Sequence, residues 1–512
     1  MKIDELKFQL KKLFGFNSFK GLQENVIRNL LNRENSFVIM PTGGGKSLCY
    51  QFPALVQRGT AIIVSPLIAL MKNQVDALRG ISTENGIAHV LNSSLNKTEI
   101  AQVKNDITSR VTKLLYVAPE SLSKSETIDF LKSVTISFLA VDEAHCISKW
   151  GVGFRPEYEQ LSELKTLFPL ATIAAFTATA DKATRKDIVQ KLSNGKSHII
   201  VKGFDRPNLY LSVETKPTSK KIFHQMLLDF VKIRKNLSGI IYCLSRKETE
   251  EISLFLNSNG LNTIDYHAGK TPEYRRQAYD RFITEDGIIM VATIAFGMGI
   301  DKPNIRYVIH ASLPSSMEAF YQEIGRAGRD GNNSETLLFF NLSDFIMRQR
   351  MLFDGNESEV FKQIEYQRLN TLLGYCEATS CRRKALLSYF DQEVEHCNNC
   401  DNCKKPPEVK DYSKEAKIIF LAIQQSGQSF GSNHLIDLII GKETEKIINR
   451  SHQNLSSFGS GSHLSKPLIQ TLLRQLTAFG ALLVNLEKYG AIQLTEVSNK
   501  IAAGEVVQRP SS

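Results

Sequence analysis

The sequence predicts an α/β fold: two parallel-sheet units in tandem, then a helical cysteine-bearing segment and a small C-terminal module. Three observations carry this. From residue 1 to about 340, short apolar runs alternate with longer polar or amphipathic stretches. Strands that read as continuous apolar runs are buried on both faces, which calls for parallel sheets covered by helices. A linker near Phe204–Asn208 leaves room for one such sheet on either side. Beyond residue 340 the pattern turns helical, and Cys381, Cys397, Cys400 and Cys403 fall together.

Taken in order, Ser36–Met40, Ala61–Ser65, Lys113–Ala118, Phe138–Val141 and Ile173–Phe176 read as the strands of the first sheet. Ser238–Cys243, Ile288–Val291, Tyr307–His310 and Thr336–Phe340 read as those of the second. Leu67–Leu78 and Lys247–Asn257 are among the helices between them. The division is 1–205, 206–340, 341–408 and 409–495, with a tail at 496–512. The segment 409–495 has helical runs and one Gly/Ser-rich break, Ser456–Ser462.

Bulk properties narrow the partners. A chain of 512 residues, 42% hydrophobic and 23% charged, suits a soluble protein of about three domains. The net charge of +10 suits a polyanionic partner. No apolar run approaches the ~20 residues of a membrane span. The charged start Met1–Glu5 lacks a signal core, so no membrane partner and a cytoplasmic location are expected. In a reducing compartment clustered cysteines read as metal ligands rather than disulfides.

Three motifs point to nucleotide chemistry. Val38-Ile39-Met40 runs into Pro41-Thr42-Gly43-Gly44-Gly45-Lys46-Ser47: strand, glycine-rich loop, helix. Such a loop lets backbone N–H groups curl around phosphate. Lys46 would reach the β- and γ-phosphates of ATP and Ser47 would ligate Mg²⁺. Met40 stands where the usual pattern begins with Gly. Asp142-Glu143-Ala144-His145 follows the apolar strand Phe138–Val141. Asp142 is assigned to the metal, Glu143 to the attacking water, and His145 to a link with the surroundings. Gln322-Glu323-Ile324-Gly325-Arg326-Ala327-Gly328-Arg329 lies in the second unit. Arg326 and Arg329 would stabilise charge on the transferring phosphoryl group, which implies a cleft between two closing domains.

Cys397, Cys400 and Cys403 are spaced three residues apart, and Cys381 or Cys376 completes four thiolates. Four thiolates suit a closed, structural Zn²⁺ site, with an iron–sulfur cluster as the alternative.

Together the motifs resemble a superfamily 2 helicase, and specifically the RecQ family. Further segments carry the resemblance: Leu13–Gln23, Ser65–Met71, Tyr116–Glu120, Phe176–Ala180, Phe204–Asn208, Tyr266–Gly269 and Val291–Pro303. It covers roughly residues 1–495. It implies two RecA-like motor domains, a zinc-binding subdomain and a winged-helix domain. It also implies ATP-dependent 3′→5′ unwinding of DNA in recombination and repair.

By resemblance Phe16 would stack on adenine, and Gln23 would hydrogen-bond its edge. Lys20 stands where the family usually has Arg and cannot make the same planar fork. Asp301 and Gln322 are expected at the nucleotide, beside Thr42, Gly43, Gly45, Lys46 and Ser47. The family's zinc ligand precedes Arg-Arg, which favours Cys381 over Cys376. Ser148–Pro156 resembles the aromatic-rich loop that couples single-stranded DNA to hydrolysis, with Trp150, Phe154 and Arg155 as its contacts. Val152-Gly153 stands there in place of the usual His-Asp.

Leu464–Leu476 reads as the recognition helix, and Ala481–Leu486 with Ala491–Thr495 as wing strands. Ser462, His463, Lys466 and Arg474 are candidate duplex contacts. Val497–Pro510 resembles the start of the mismatch-repair ATPase MutL, or reads as a short helix packed on the winged helix. The expected partners are single-stranded, forked and junction DNA and a single-strand-binding protein, with the chain acting as a monomer near the nucleoid. An RNA helicase also carries Asp-Glu-Ala-His, but the cysteine cluster after the second unit favours DNA. A non-hydrolysing junction-binding protein is disfavoured because Lys46, Glu143, Arg326 and Arg329 are all present.

Overall fold

The computed structural model describes residues 3–504 apart from 42, 67, 83–84, 93–94, 149–155, 298–299, 301, 356–357, 409 and 486–490. Thr42, Asp301 and the aromatic-loop residues Trp150, Phe154 and Arg155 therefore lie outside the described residues, as does the tail from 505.

The first sheet is parallel throughout. Its strands are β1 (Ser36–Ile39), β2 (Thr60–Val64), β3 (Ala88–Leu91), β4 (Leu114–Val117), β5 (Ile136–Val141), β6 (Ile173–Thr177) and β7 (His198–Val201). They stand in the order β3-β4-β2-β5-β6-β1-β7. The inner strands β1, β2, β4 and β6 are buried at every position. That is why they read as unbroken apolar runs. Helices cover both faces, and the buried side chains above and below the sheet form two separate clusters around it.

The second sheet is also parallel: β8 (Leu209–Thr215), β9 (Gly239–Tyr242), β10 (Thr263–Tyr266), β11 (Ile289–Ala292), β12 (Tyr307–His310) and β13 (Ser334–Phe340), in the order β10-β11-β9-β12-β13-β8. Four strands were not anticipated: β3, β7, β8 and β10.

The cysteine-bearing segment is welded to the edge strand β8. The Leu211 N–H donates to the Asn399 carbonyl at 3.4 Å, and the Val213 N–H donates to Asp401 at 3.0 Å. It also grips the linker between the sheets. Phe390 stacks on Phe204 at 4.4 Å, and the Gln392 side chain accepts the Phe204 N–H at 2.7 Å.

The C-terminal module packs Ile419, Leu435, Ile439, Ile469 and Leu473 into its own core. The helix Lys466–Ala478 and the antiparallel pair β14 (Leu482–Asn485) and β15 (Ala491–Leu494) match the winged-helix expectation. The tail begins as the helix Glu496–Ala502, capped by Thr495, with Val497 and Ile501 packed on this core. No helix among the described residues is long and apolar enough to cross a membrane.

Candidate active site

Strand β1 delivers the chain to the carboxyl edge of the first sheet, where ligands of open parallel sheets bind. There Gly43 and Gly45 both take φ of +79°, a left-handed conformation that glycine adopts cheaply. At Gly45 the need is double, because a Cβ would collide with the Gln23 side-chain amide. The helix Lys46–Val56 starts immediately after, so its unpaired N–H groups face the loop.

Strand β5 delivers Asp142 and Glu143 to the same edge. Glu143 sits at φ +50°, left-handed for a residue with a Cβ, and the turn is held by Tyr158, whose hydroxyl donates to the Asp142 carbonyl at 3.2 Å. Such strain persists where surrounding structure enforces it, commonly at functional sites. Burial, then the charge of Glu143, pushes the Asp142 carboxyl up to about 7, with Lys46 pulling the other way. A buried carboxylate (Asp142) beside a partly exposed one (Glu143), facing a lysine and a serine, is a donor set that fits a hard divalent cation.

A cleft of about 320 Å³ joins these pieces. Gly43, Gly45, Lys46, Ser47, Asp142 and Glu143 line it from the first unit, and Ile300 and Arg329 from the second. Arg329 packs beside the phosphate loop, within 3.4 Å of where a Gly43 Cβ would be. The Lys46 ammonium is folded back onto the Met40 carbonyl at 3.2 Å, and Ser47 accepts from Gln74 at 3.2 Å.

Three expected nucleotide residues are placed differently. Gln23 is 3% exposed and its amide is turned to the chain: it accepts the Lys20 N–H at 2.7 Å and donates to the Gly45 carbonyl at 3.2 Å. In this arrangement it shapes the phosphate loop. Gln322 donates to Thr179 of the first unit at 2.8 Å, so it bridges the two sheets. Arg326 is buried within the second unit near Tyr242 and Gly297 and does not line the cleft. Phe16 and Lys20 stand exposed.

The structure also assigns partners that spacing did not reveal. Glu143 lies 3.4 Å from His145, His145 meets the Thr177 hydroxyl at 2.9 Å, and Thr177 bonds the Thr179 carbonyl at 2.9 Å. With Gln322 on Thr179, a polar chain runs from Glu143 to the second unit. Arg206 of the linker donates to the carbonyls of Gly325, Ala327 and Gly328 at 3.3, 2.9 and 2.8 Å. It fixes the turn that carries Arg329. These three acceptors are backbone carbonyls, which any residue supplies, so no sequence pattern announces the contact.

The four thiols Cys381, Cys397, Cys400 and Cys403 lie within 4.8 Å of one another. Cys397 and Cys403 are 3.9 Å apart, close to the roughly 3.8 Å edge of a tetrahedron with 2.3 Å zinc–sulfur bonds. Burial raises the Cys381 thiol, but the Lys384 backbone N–H and the neighbouring Cys397 outweigh it and bring it down to about 7. The set fits Zn²⁺. Cys376 is buried outside it. Arg383 carries the centre's position inward, bonding Asp205 at 2.7 Å and the Arg206 and Leu209 carbonyls at 2.6 and 2.5 Å.

In the C-terminal module Ser462, His463 and Lys466 are exposed. Arg474 is not available to DNA in the same way. It is paired with Glu377 at 2.8 Å, both side chains largely buried, and this docks the recognition helix onto the helix Glu359–Cys376.

Comparison with known proteins agrees along the chain. Family models match as DEAD/DEAH box helicase over residues 20–188, helicase conserved C-terminal domain over 221–331, RecQ zinc-binding over 342–404 and RQC domain over 406–509. The chain is 42% identical over 499 residues to the ATP-dependent DNA helicase RecQ of Haemophilus influenzae, covering 97% of this chain and 79% of that one. It is 43% identical to the protein of the same name in Pasteurella multocida, covering 97% and 78%. Among solved structures, the DEAD-box helicase Mss116 bound to single-stranded RNA matches at TM-score 0.55 and 19% identity, over 73% of this chain and 84% of that one. The Mycobacterium smegmatis helicase Lhr bound to single-stranded DNA matches at TM-score 0.53 and 17% identity, over 98% and 62%. These two likenesses speak for the fold.

Proposed function

The chain belongs to the RecQ family, and from that premise we infer that it is an ATP-dependent DNA helicase driven by closure of its two sheets around ATP. The observation that carries the reading is the shared cleft: hydrolytic carboxylates on one sheet, Arg329 on the other. ATP, Mg²⁺ and Zn²⁺ are its cofactors, and DNA is its substrate.

The residue roles follow from placement. The phosphate loop binds the triphosphate through backbone N–H groups, with Lys46 leaving the Met40 carbonyl to pair with phosphate. Ser47 and Asp142 would hold Mg²⁺, which when bound draws charge from the phosphoryl oxygens. Glu143 accepts a proton from the attacking water, and His145 fixes that carboxylate. Arg329 offsets charge that develops on the transferring group. Thr177, Thr179 and Gln322 pass the state of the site to the second unit.

The finer reading is 3′→5′ translocation by a monomer, since one chain supplies both walls of the cleft. Single-strand-binding protein is the expected partner, because unwinding releases its ligand, and the nucleoid is the expected place of action. The divisions 1–205, 206–340, 341–408 and 409–495 belong to the same proposal. Trp150, Phe154 and Arg155 remain the proposed single-strand contacts, on charge and stacking grounds.

The test is steady-state ATPase with and without single-stranded DNA, in the native chain and in Glu143→Gln. Native turnover should rise with DNA, and the variant should lose about 10²–10³-fold in kcat while still binding ATP. Turnover indifferent to DNA, or unaffected by the substitution, overturns the reading.

A further inference from the structure

Arg368 lies where three units meet. It is 5% exposed, on the helix Glu359–Cys376 of the zinc-binding segment. Its guanidinium pairs with Asp181 of the first unit at 3.0 Å, with Glu318 of the second at 3.4 Å, and with Glu365 of its own helix at 2.6 Å. Tyr389 also donates to Glu318. We propose that Arg368 is a positioning residue for the ATP cycle, a latch that favours closure of the two sheets from outside the nucleotide cleft. The proposal rests on the closure reading above.

Its position supports this. Asp181 follows Thr177–Ala180 directly and caps the helix Lys182–Ser193, accepting the Thr184 N–H at 2.7 Å. Glu318 and Gln322 sit one turn apart on the helix Met317–Ile324, so they share a face. That helix therefore meets the first unit twice: directly through Gln322 on Thr179, and through Arg368 on Asp181. A further contact joins the same parts, from Arg185 to the Phe390 carbonyl at 3.4 Å.

The charge count makes the latch reversible. Breaking an ordinary buried pair strands a charge, which is costly. When the sheets separate, Arg368 retains Glu318 and Glu365. Asp181, whose side chain is 25% exposed, retains its capping bond. Neither partner is orphaned, as a contact made and broken in every cycle requires.

The variant Asp181→Asn removes the charge and keeps the cap, since Asn caps helices as well as Asp does. Closure is a pre-equilibrium ahead of hydrolysis, so its weakening lowers kcat/KM for ATP by the same factor. At saturating single-stranded DNA, Asp181→Asn and Arg368→Gln should each lose about five-fold in kcat/KM per active site, and the double variant no more than either. Zinc stoichiometry should stay at the native value. A purely structural role would lower Tm and the active fraction but not kcat/KM per titrated site. Native kcat/KM in Asp181→Asn, or multiplying losses in the double variant, overturns the latch. Failure of the closure reading itself would appear in the native chain, as ATPase that ignores DNA.

Discussion

The ATP cleft and the four-cysteine centre are both announced by short motifs, yet they are built in opposite ways. Around the cysteines every contact is final. The Asn399 and Cys403 N–H groups point at sulfur, Arg382 is locked on Asp401 at 3.0 Å, and Arg383 is locked on the linker. In the cleft the contacts are provisional: Lys46 rests on a backbone carbonyl, Ser47 on Gln74, and Arg329 has arrived from another domain. A structural centre fixes one geometry. A hydrolytic one must exchange partners when substrate enters and leaves, so its groups are held in places they can quit at little cost.

The largest effect should come from removing the fixed site. Four thiolates closing around zinc contribute on the order of 10 kcal/mol to folding a segment with little core of its own. Because Arg383 ties that segment to Arg206, and Arg206 holds the turn bearing Arg329, zinc loss should reach the cleft. Cys397→Ser is expected to lose zinc, expose 341–408 to limited proteolysis and abolish DNA-stimulated ATPase. A zinc-free variant with native protease resistance and turnover would erase the contrast between the two sites.

Next comes a split between two neighbouring arginines. Arg329 faces the cleft, so Arg329→Ala should lose about 10³-fold in kcat with little change in Tm. Arg326 is buried in its own unit, so Arg326→Ala should act first on stability, lowering Tm by several degrees as expected for deleting a large buried side chain. Equal kcat losses with unchanged Tm in both would place Arg326 at the transition state beside Arg329.

The same distinction between fixed and exposed explains what could be read from the sequence. Within the two parallel sheets, the strands legible in the sequence are the inner ones, where both faces are covered and the sequence is plainly apolar. The four that went unrecognised, β3, β7, β8 and β10, are the four sheet edges. β7 shows why: His198, Ile199 and Val201 are exposed, so its pattern lacks the continuous burial signal. At the site, Lys46, Asp142, Glu143 and the thiols were legible because metal and phosphate chemistry demands particular residue types at particular spacings. The Gln23–Gly45, Gln322–Thr179 and Arg206–Gly325 contacts were not, because each pairs a common side chain with a backbone atom or hydroxyl far along the chain. Periodicity carries no trace of such pairs.

The smallest effect tests whether the fixed class extends to the winged helix. Lys466 is exposed at the start of the recognition helix, whereas Arg474, two turns on, is held by Glu377 and packs near the Phe340 ring. If Lys466 neutralises a phosphate, Lys466→Ala weakens duplex binding and reduces the slope of log K against log salt by about 1. Arg474→Met combined with Glu377→Gln removes the buried pair without leaving one charge stranded. It should leave the slope at its native value, because an arginine already paired releases no counterion from DNA. A slope reduced by about 1 in that double variant would mean that the pair opens on DNA and that Arg474 reaches a phosphate. The docking contact would then belong with Lys46 among the provisional ones, and the winged helix would be a part that moves rather than one the zinc segment holds in place.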